Sequence, residues 1–137
     1  MSLDGTLEEH RIAGVSLRNG MHTAMHEGMH ARVRLVTSAF SNQRCCALGR
    51  WIYEDGARWD DVPELLQLEL AHASFHTVAL VIAIAITQKR FAEAAVMLEP
   101  DALFENAARM LAHAVSRFEN RRRTGASPRP IAHVQIH

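Results

Sequence analysis

The chain has little of what holds small secreted domains together. Only two of its 137 residues are cysteine, and these, Cys45 and Cys46, are neighbours. A bridge between them would close almost no loop, which excludes a disulfide framework and makes a reducing cytoplasm the expected setting. Proline occurs four times, and aromatic residues make up 6% of the chain. No stretch alternates polar and apolar residues long enough to make a half-buried strand. Charge of one sign is missing as well, since fifteen basic residues balance fifteen acidic ones. No overall field therefore draws the chain to nucleic acid or to an anionic membrane. The longest apolar run, Val78 to Ile86, has roughly half the length of a membrane helix and reads as buried core. Met1 to Glu9 lacks the basic and apolar regions of a signal peptide.

What is present is histidine, nine in all, within a chain that is 48% hydrophobic with a mean hydropathy near zero. That composition and length suit one soluble domain, residues 1–123, followed by a Gly/Ser/Pro-containing tail, 124–137, expected to be disordered. Apolar spacing of threes and fours predicts helices over about Leu7–Phe40, Cys46–Tyr53, Pro63–Lys89, Arg90–Leu98 and Asp101–Arg123. Pro63 opens the third of these with Asp60 or Asp61 as its cap, and Pro100 separates the last two. The fold class expected is all-α, an antiparallel four-helix bundle with a short extra helix carrying a cysteine.

Two histidine patterns compete for attention. The stretch GMHTAMHEGMHARVRL, Gly20 to Leu35, contains His26-Glu27-Gly28-Met29-His30, which has the H-E-x-x-H spacing of zinc peptidases. In those enzymes, histidines one turn apart face one metal and the glutamate polarises its water. A third ligand and a strand edge to hold substrate are missing here, and a five-residue pattern arises cheaply within a repeating Met-His stripe. Met21, Met25 and Met29 could serve copper, although methionines at that spacing are more often core filler. An enzyme, or a copper- or iron-binding bundle built on this stripe, is the alternative function class.

The second pattern is His72-Ala73-Ser74-Phe75-His76, again with both rings on one helix face and able to share a metal. Cys46 stands 26 residues before His72 in Cys46-Ala47-Leu48-Gly49-Arg50-Trp51. Cys-x-Leu-Gly-x-Trp followed by His-x-x-Phe-His resembles the chemoreceptor zinc-binding (CZB) domain of bacteria, over about Met21 to Phe118. The resemblance implies a four-helix bundle holding one zinc through three histidines and one cysteine, with Cys46, His72 and His76 as three of the ligands. The fourth, from the first helix, is less direct, because none of His22, His26 and His30 has tryptophan three residues on. Alignment of Arg32 and Arg34 favours His26, ahead of His22 and His30.

Four protein ligands saturate tetrahedral zinc and leave no place for a hydrolytic water, so no catalytic activity is expected. The implied role is sensory, responding to zinc or to an oxidant such as hypochlorous acid, with a homodimer and a chemoreceptor or diguanylate cyclase as implied partners. No nucleic-acid or membrane partner is expected. Trp51 is expected to pack against the first helix, Phe75 to lie in the core and Cys45 to be a bystander. His10, His113, His133 and His137 have no ligand spacing and are expected in solvent. Arg121 to Arg123 is expected to be a solvated helix end that suits the helix dipole.

Overall fold

The computed structural model describes residues 3–27 and 46–125. Within them all regular structure is helical: α1 (Asp4–Glu27), α2 (Ala47–Tyr53), a 3-10 turn (Gly56–Trp59), α3 (Pro63–Thr87), α4 (Phe91–Met97) and α5 (Leu103–Arg123). The sequence boundaries of the last four helices differ from these by one or two residues at most ends. The remainder of the expected Leu7–Phe40 helix and most of the expected tail lie outside the described residues.

Each long helix buries a stripe set by its spacing. On α5 it is Phe104, Ala107, Leu111, Ala114, Val115 and Phe118, on α3 Leu65, Leu68, His72, Phe75, His76, Ala79, Ile82 and Ile86 among others. These two stripes meet in the most extensive helix pair among the described residues. The pair is antiparallel, since Glu64 at the start of α3 lies beside Arg121 at the end of α5. On α1 the buried positions Leu3, His10, Leu17, Met21 and Ala24, with Gly14 buried between them, follow a spacing of about 3.5 residues and face the same core. Leu3 donates its backbone N–H to the Glu119 carboxylate, and Arg18 reaches the Leu98 carbonyl at 3.1 Å. α1 therefore runs parallel to α3 and antiparallel to α5.

Two details differ from expectation. The N-cap of α3 is Val62, which has no side-chain acceptor, and not Asp60 or Asp61. The 3-10 turn takes up that stretch: the Val62 N–H donates to the Trp59 carbonyl at 2.9 Å and the Leu65 N–H to that of Val62, also at 2.9 Å. In addition, α4 has only 7 residues and cannot form a full-length wall, so α1, α3 and α5 are the frame. α3 is long and apolar enough to cross a bilayer by length and composition, with half of its most apolar window buried in the fold.

Gly14 sets how closely α1 approaches α5. A Cβ there would lie 2.6 Å from Cε1 of Phe104, a ring that is itself buried and packed on Phe75 at 5.3 Å. Alanine ordinarily gains about 1 kcal/mol over glycine inside a helix. Here the clash should outweigh that gain, because overpacking a dense core costs about 1–3 kcal/mol. Gly14→Ala is expected to lower the urea midpoint; a raised midpoint would mean that α1 is not seated this tightly.

Candidate metal centre

The centre begins with α2. Cys46 is the extended residue immediately before this helix, and its Sγ accepts the backbone N–H of Gly49 at 3.3 Å. The sulfur thus fills the N-cap role usually taken by an oxygen. Leu48, Trp51 and Ile52 bury one face of the helix, which fixes the sulfur at the edge of the core. On α3, His72 and His76 project inward one turn apart, only 3% and 5% exposed. Their Nε2 atoms lie 3.1 Å from each other, and 3.1 and 3.5 Å from Cys46 Sγ.

The fourth member is His10, from the first turns of α1. Its Nε2 is 3.7 Å from Cys46 Sγ, and its ring stands edge-on to those of His72 and His76, at 5.1 and 5.4 Å between centroids. His10 was expected in solvent, but it is 4% exposed. The structure therefore places His10 beside Cys46, His72 and His76. His22 is on α1 but exposed. The His26 side chain and His30 lie outside the described residues. The His26 backbone is sixteen residues beyond His10, roughly 24 Å along the helix axis.

Ligand atoms of His10, Cys46, His72 and His76 all lie within 4.8 Å of one another. A tetrahedral zinc with ordinary bond lengths separates its nitrogen ligands by roughly 3.3 Å, and sulfur from nitrogen by roughly 3.6 Å. The sulfur–nitrogen separations of 3.1 to 3.7 Å and the 3.1 Å between His72 and His76 lie within about 0.5 Å of these edges, so the donor set suits such an ion in chemistry and comes close to it in spacing. Orientation is fixed from outside as well. His10 Nδ1 donates to the Thr6 carbonyl at 2.6 Å, and Thr6 in turn is held by its hydroxyl on the Leu3 carbonyl at 2.6 Å. A neutral His10 ring with its proton on Nδ1 presents the Nε2 lone pair to the cluster.

Burial also sets the protonation states. His72 is pushed down to about 3, first by desolvation and then by His76 and His10, and desolvation lowers His10 too, against its Thr6 hydrogen bond. The Cys46 thiol is pushed up, chiefly by burial and against the Gly49 N–H. Near neutral pH the metal-free cluster therefore holds His10 and His72 as neutral imidazoles beside a Cys46 thiol. A cleft of about 220 Å³ lined by Glu9, Ile12, Ala13, Cys46 and His76 opens beside it, leaving Cys46 half-buried. The larger apolar cleft of about 590 Å³, along Leu70, Met110 and His113, contains none of the four residues.

Phe75 is core as expected, edge-on to His10 at 5.0 Å. Trp51 is core too, but the ring it meets is Phe118 of α5, at 5.5 Å. Arg121 and Arg123 are exposed, whereas Arg122 is half-buried. Met21 is buried and Met25 is 53% exposed, so the Met-His stripe is not a single face. Compared with models of protein families, with curated proteins and with solved structures, the chain matches none.

The depressed histidines make the metal-free protein acid-sensitive. Unfolded His72 titrates near its ordinary 6.5, whereas the folded form resists protonation until about 3. Its stabilising effect is complete above 6.5 and is lost as pH falls from there toward 3. Urea unfolding in chelator should give a metal-free protein less stable at pH 5 than at pH 7. His72 alone accounts for a loss on the order of 2 kcal/mol, and His72→Gln should remove that share. Equal stability at both pH values would contradict the burial of a neutral His72.

Proposed function

We propose that this chain is a zinc-binding regulatory module whose centre is His10, Cys46, His72 and His76. The observation that carries this reading is the convergence of three histidine nitrogens and one Sγ within 4.8 Å of one another in a buried cluster. Borderline nitrogen and soft sulfur suit zinc among common divalent ions, and exclude calcium and magnesium, which select oxygen. Bound zinc would supply positive charge that stabilises the thiolate and ties three segments together. With four protein ligands it leaves no open position for water, so the centre is read as non-catalytic.

The resemblance to the CZB domain supplies the wider role: a bacterial signalling module in the cytoplasm, a homodimer acting through a chemoreceptor or cyclase partner. It also supplies the four-helix bundle as the complete fold. Within that role Cys46 is the reactive group. A thiolate reached through the adjacent cleft would attack the chlorine-bearing oxidant hypochlorous acid, giving a sulfenic acid and chloride. Loss of the thiolate donor weakens the centre, and zinc release then loosens α2 from α1 and α3.

Zinc should bind one per chain. Because the half-buried Cys46 is a thiol in the metal-free protein, binding at pH 7 should release about one proton, measured by calorimetry in two buffers of different ionisation enthalpy. Cys46→Ser should abolish most of that release. Cys46→Ala, His10→Ala and His72→Ala should each weaken zinc by more than the roughly 10–100-fold typical of an outer-shell partner. His30→Ala and Glu27→Gln should leave binding unchanged. Zinc retained in Cys46→Ala but lost in His30→Ala would transfer the function to the HEGMH stretch and to the enzyme or copper/iron alternative.

Mild hypochlorous acid should release zinc and modify Cys46 before Cys45, as followed by peptide mass spectrometry alongside a chromogenic chelator. Modification of Cys45 first, with zinc retained, would rule out Cys46 as the sensing thiol.

A further inference from the structure

At the far end of α5 from its N-terminus, a helix that supplies no ligand gathers the two segments that supply His10 and Cys46. The Arg122 guanidinium lies over the rings of Trp51, Trp59 and Phe118, at 5.3, 5.8 and 5.4 Å from their centroids. Trp51 and Trp59 stand edge-on to Phe118, at 5.5 and 5.7 Å. Arg122 thus closes an aromatic cluster formed by α2, the 3-10 turn and α5. Its side chain is only 20% exposed, and Glu119, 13% exposed, lies 3.9 Å from it on the same helix. Glu119 also accepts the backbone N–H of Leu3, the fully buried residue at the start of α1. One Arg-Glu pair therefore seats both α2, five residues beyond Cys46, and α1, seven residues before His10.

Resting on the zinc reading above, we infer that Arg122 is a positioning residue for the metal centre. Acting with Glu119, it holds Cys46 and His10 at the height of the His72–His76 pair. His72 and His76 need no such help, because one helix fixes their separation. His10 and Cys46 come from separate segments, and each would lose freedom on binding a metal. Seating both beforehand lowers that cost, which is how preorganisation raises affinity. A planar guanidinium can stack on several rings at once, whereas an ammonium acts as a compact charge. Lysine at 122 should therefore substitute only in part.

The test compares zinc affinity in the full chain for wild type, Arg122→Gln, Arg122→Lys and Ile86→Ala. Ile86→Ala is a core truncation at the other end of α3, away from this cluster. Cobalt(II) serves as the spectroscopic probe through its thiolate charge-transfer band. Arg122→Gln should weaken zinc by about 10-fold, the scale of an outer-shell partner, and diminish or shift the cobalt band. Arg122→Lys should fall between it and wild type. Ile86→Ala should lower thermal stability while keeping affinity and spectrum.

Unchanged zinc affinity and an unchanged cobalt band in both Arg122 variants, with stability alone reduced, would make Arg122 a structural staple and overturn the inference. An equal loss of affinity in Ile86→Ala would do the same, since general destabilisation would then account for it. Absence of zinc binding in wild type is a separate result, which sinks the metal reading and this inference with it. If Arg122→Gln does not fold, the lysine variant carries the comparison.

Discussion

Four electron-pair donors face one another inside a helical core, and their hydrogen-bond partners at the centre are chiefly one another. His10 has committed its Nδ1 proton to the Thr6 carbonyl, so its Nε2 can only accept while the ring is neutral. The Cys46 thiol has one hydrogen to offer, and three nitrogens surround it at 3.1 to 3.7 Å. Protonating a histidine would add a donor, but burial and the neighbouring rings oppose the charge. A cation at the centre meets every lone pair at once and converts the thiol to a thiolate. Without a cation the four groups have mainly one another as partners, and gathering so many polar atoms in a helical core is sensible chemistry for a metal site.

The rest of the fold follows from holding that cluster together. α3 and α5 pack through a continuous apolar interface that needs no metal, and α3 carries two donors already at ligand spacing. α1 and α2 bring the other two, one donor each. Gly14 allows α1 to lie close against Phe104, and Phe104 backs the Phe75 ring that abuts His10. α2 is too short to be stable alone; its position comes from Leu48, Trp51 and Ile52 and from the aromatic cluster beneath Arg122. Stability and site geometry are therefore coupled on α1 and α2 and largely separable on α3.

This division also explains what could be read from the sequence. The helices were legible because each carries a 3.6-residue apolar pattern and clear breaks, with the largest misjudgement at the cap of α3, where a 3-10 turn displaced the aspartates. His72 and His76 were legible from local spacing, and Cys46 from its Leu-Gly-x-Trp frame. His10 was not, because it is 36 residues from Cys46 with charged Glu9 and Arg11 on either side, and only the tertiary fold brings it to the sulfur. A signal did exist. Leu3, Leu7, His10, Gly14, Leu17, Met21 and Ala24 form an unbroken stripe of alternating three- and four-residue steps, and the same steps skip positions 22, 26 and 30. A histidine in the middle of an apolar stripe must be satisfied inside the core, and a metal is one of the few partners that can do so. The Met-His repeat drew attention to itself by frequency, whereas the informative histidine was marked by its register.

Because the four donors come from three elements, a metal bound among them would act on the relation between elements and hardly at all on any one of them. The α3–α5 pair packs through its own apolar interface, so the binding energy of a metal would fall on α1 and α2, which bring the other two donors to it. A ligand shifts an equilibrium only by the difference in its affinity for two states; here those states are α1 and α2 seated on the pair or displaced from it. Oxidation of Cys46 would remove the one donor that α2 contributes and so favour displacement of that segment first. The surface exposed by such a movement would include Leu48, Trp51 and Phe118, which are buried in the seated state, and more of the half-buried Trp59. Exposing that patch would be a physical means by which a small domain that held a metal in this cluster changed what it binds on losing it.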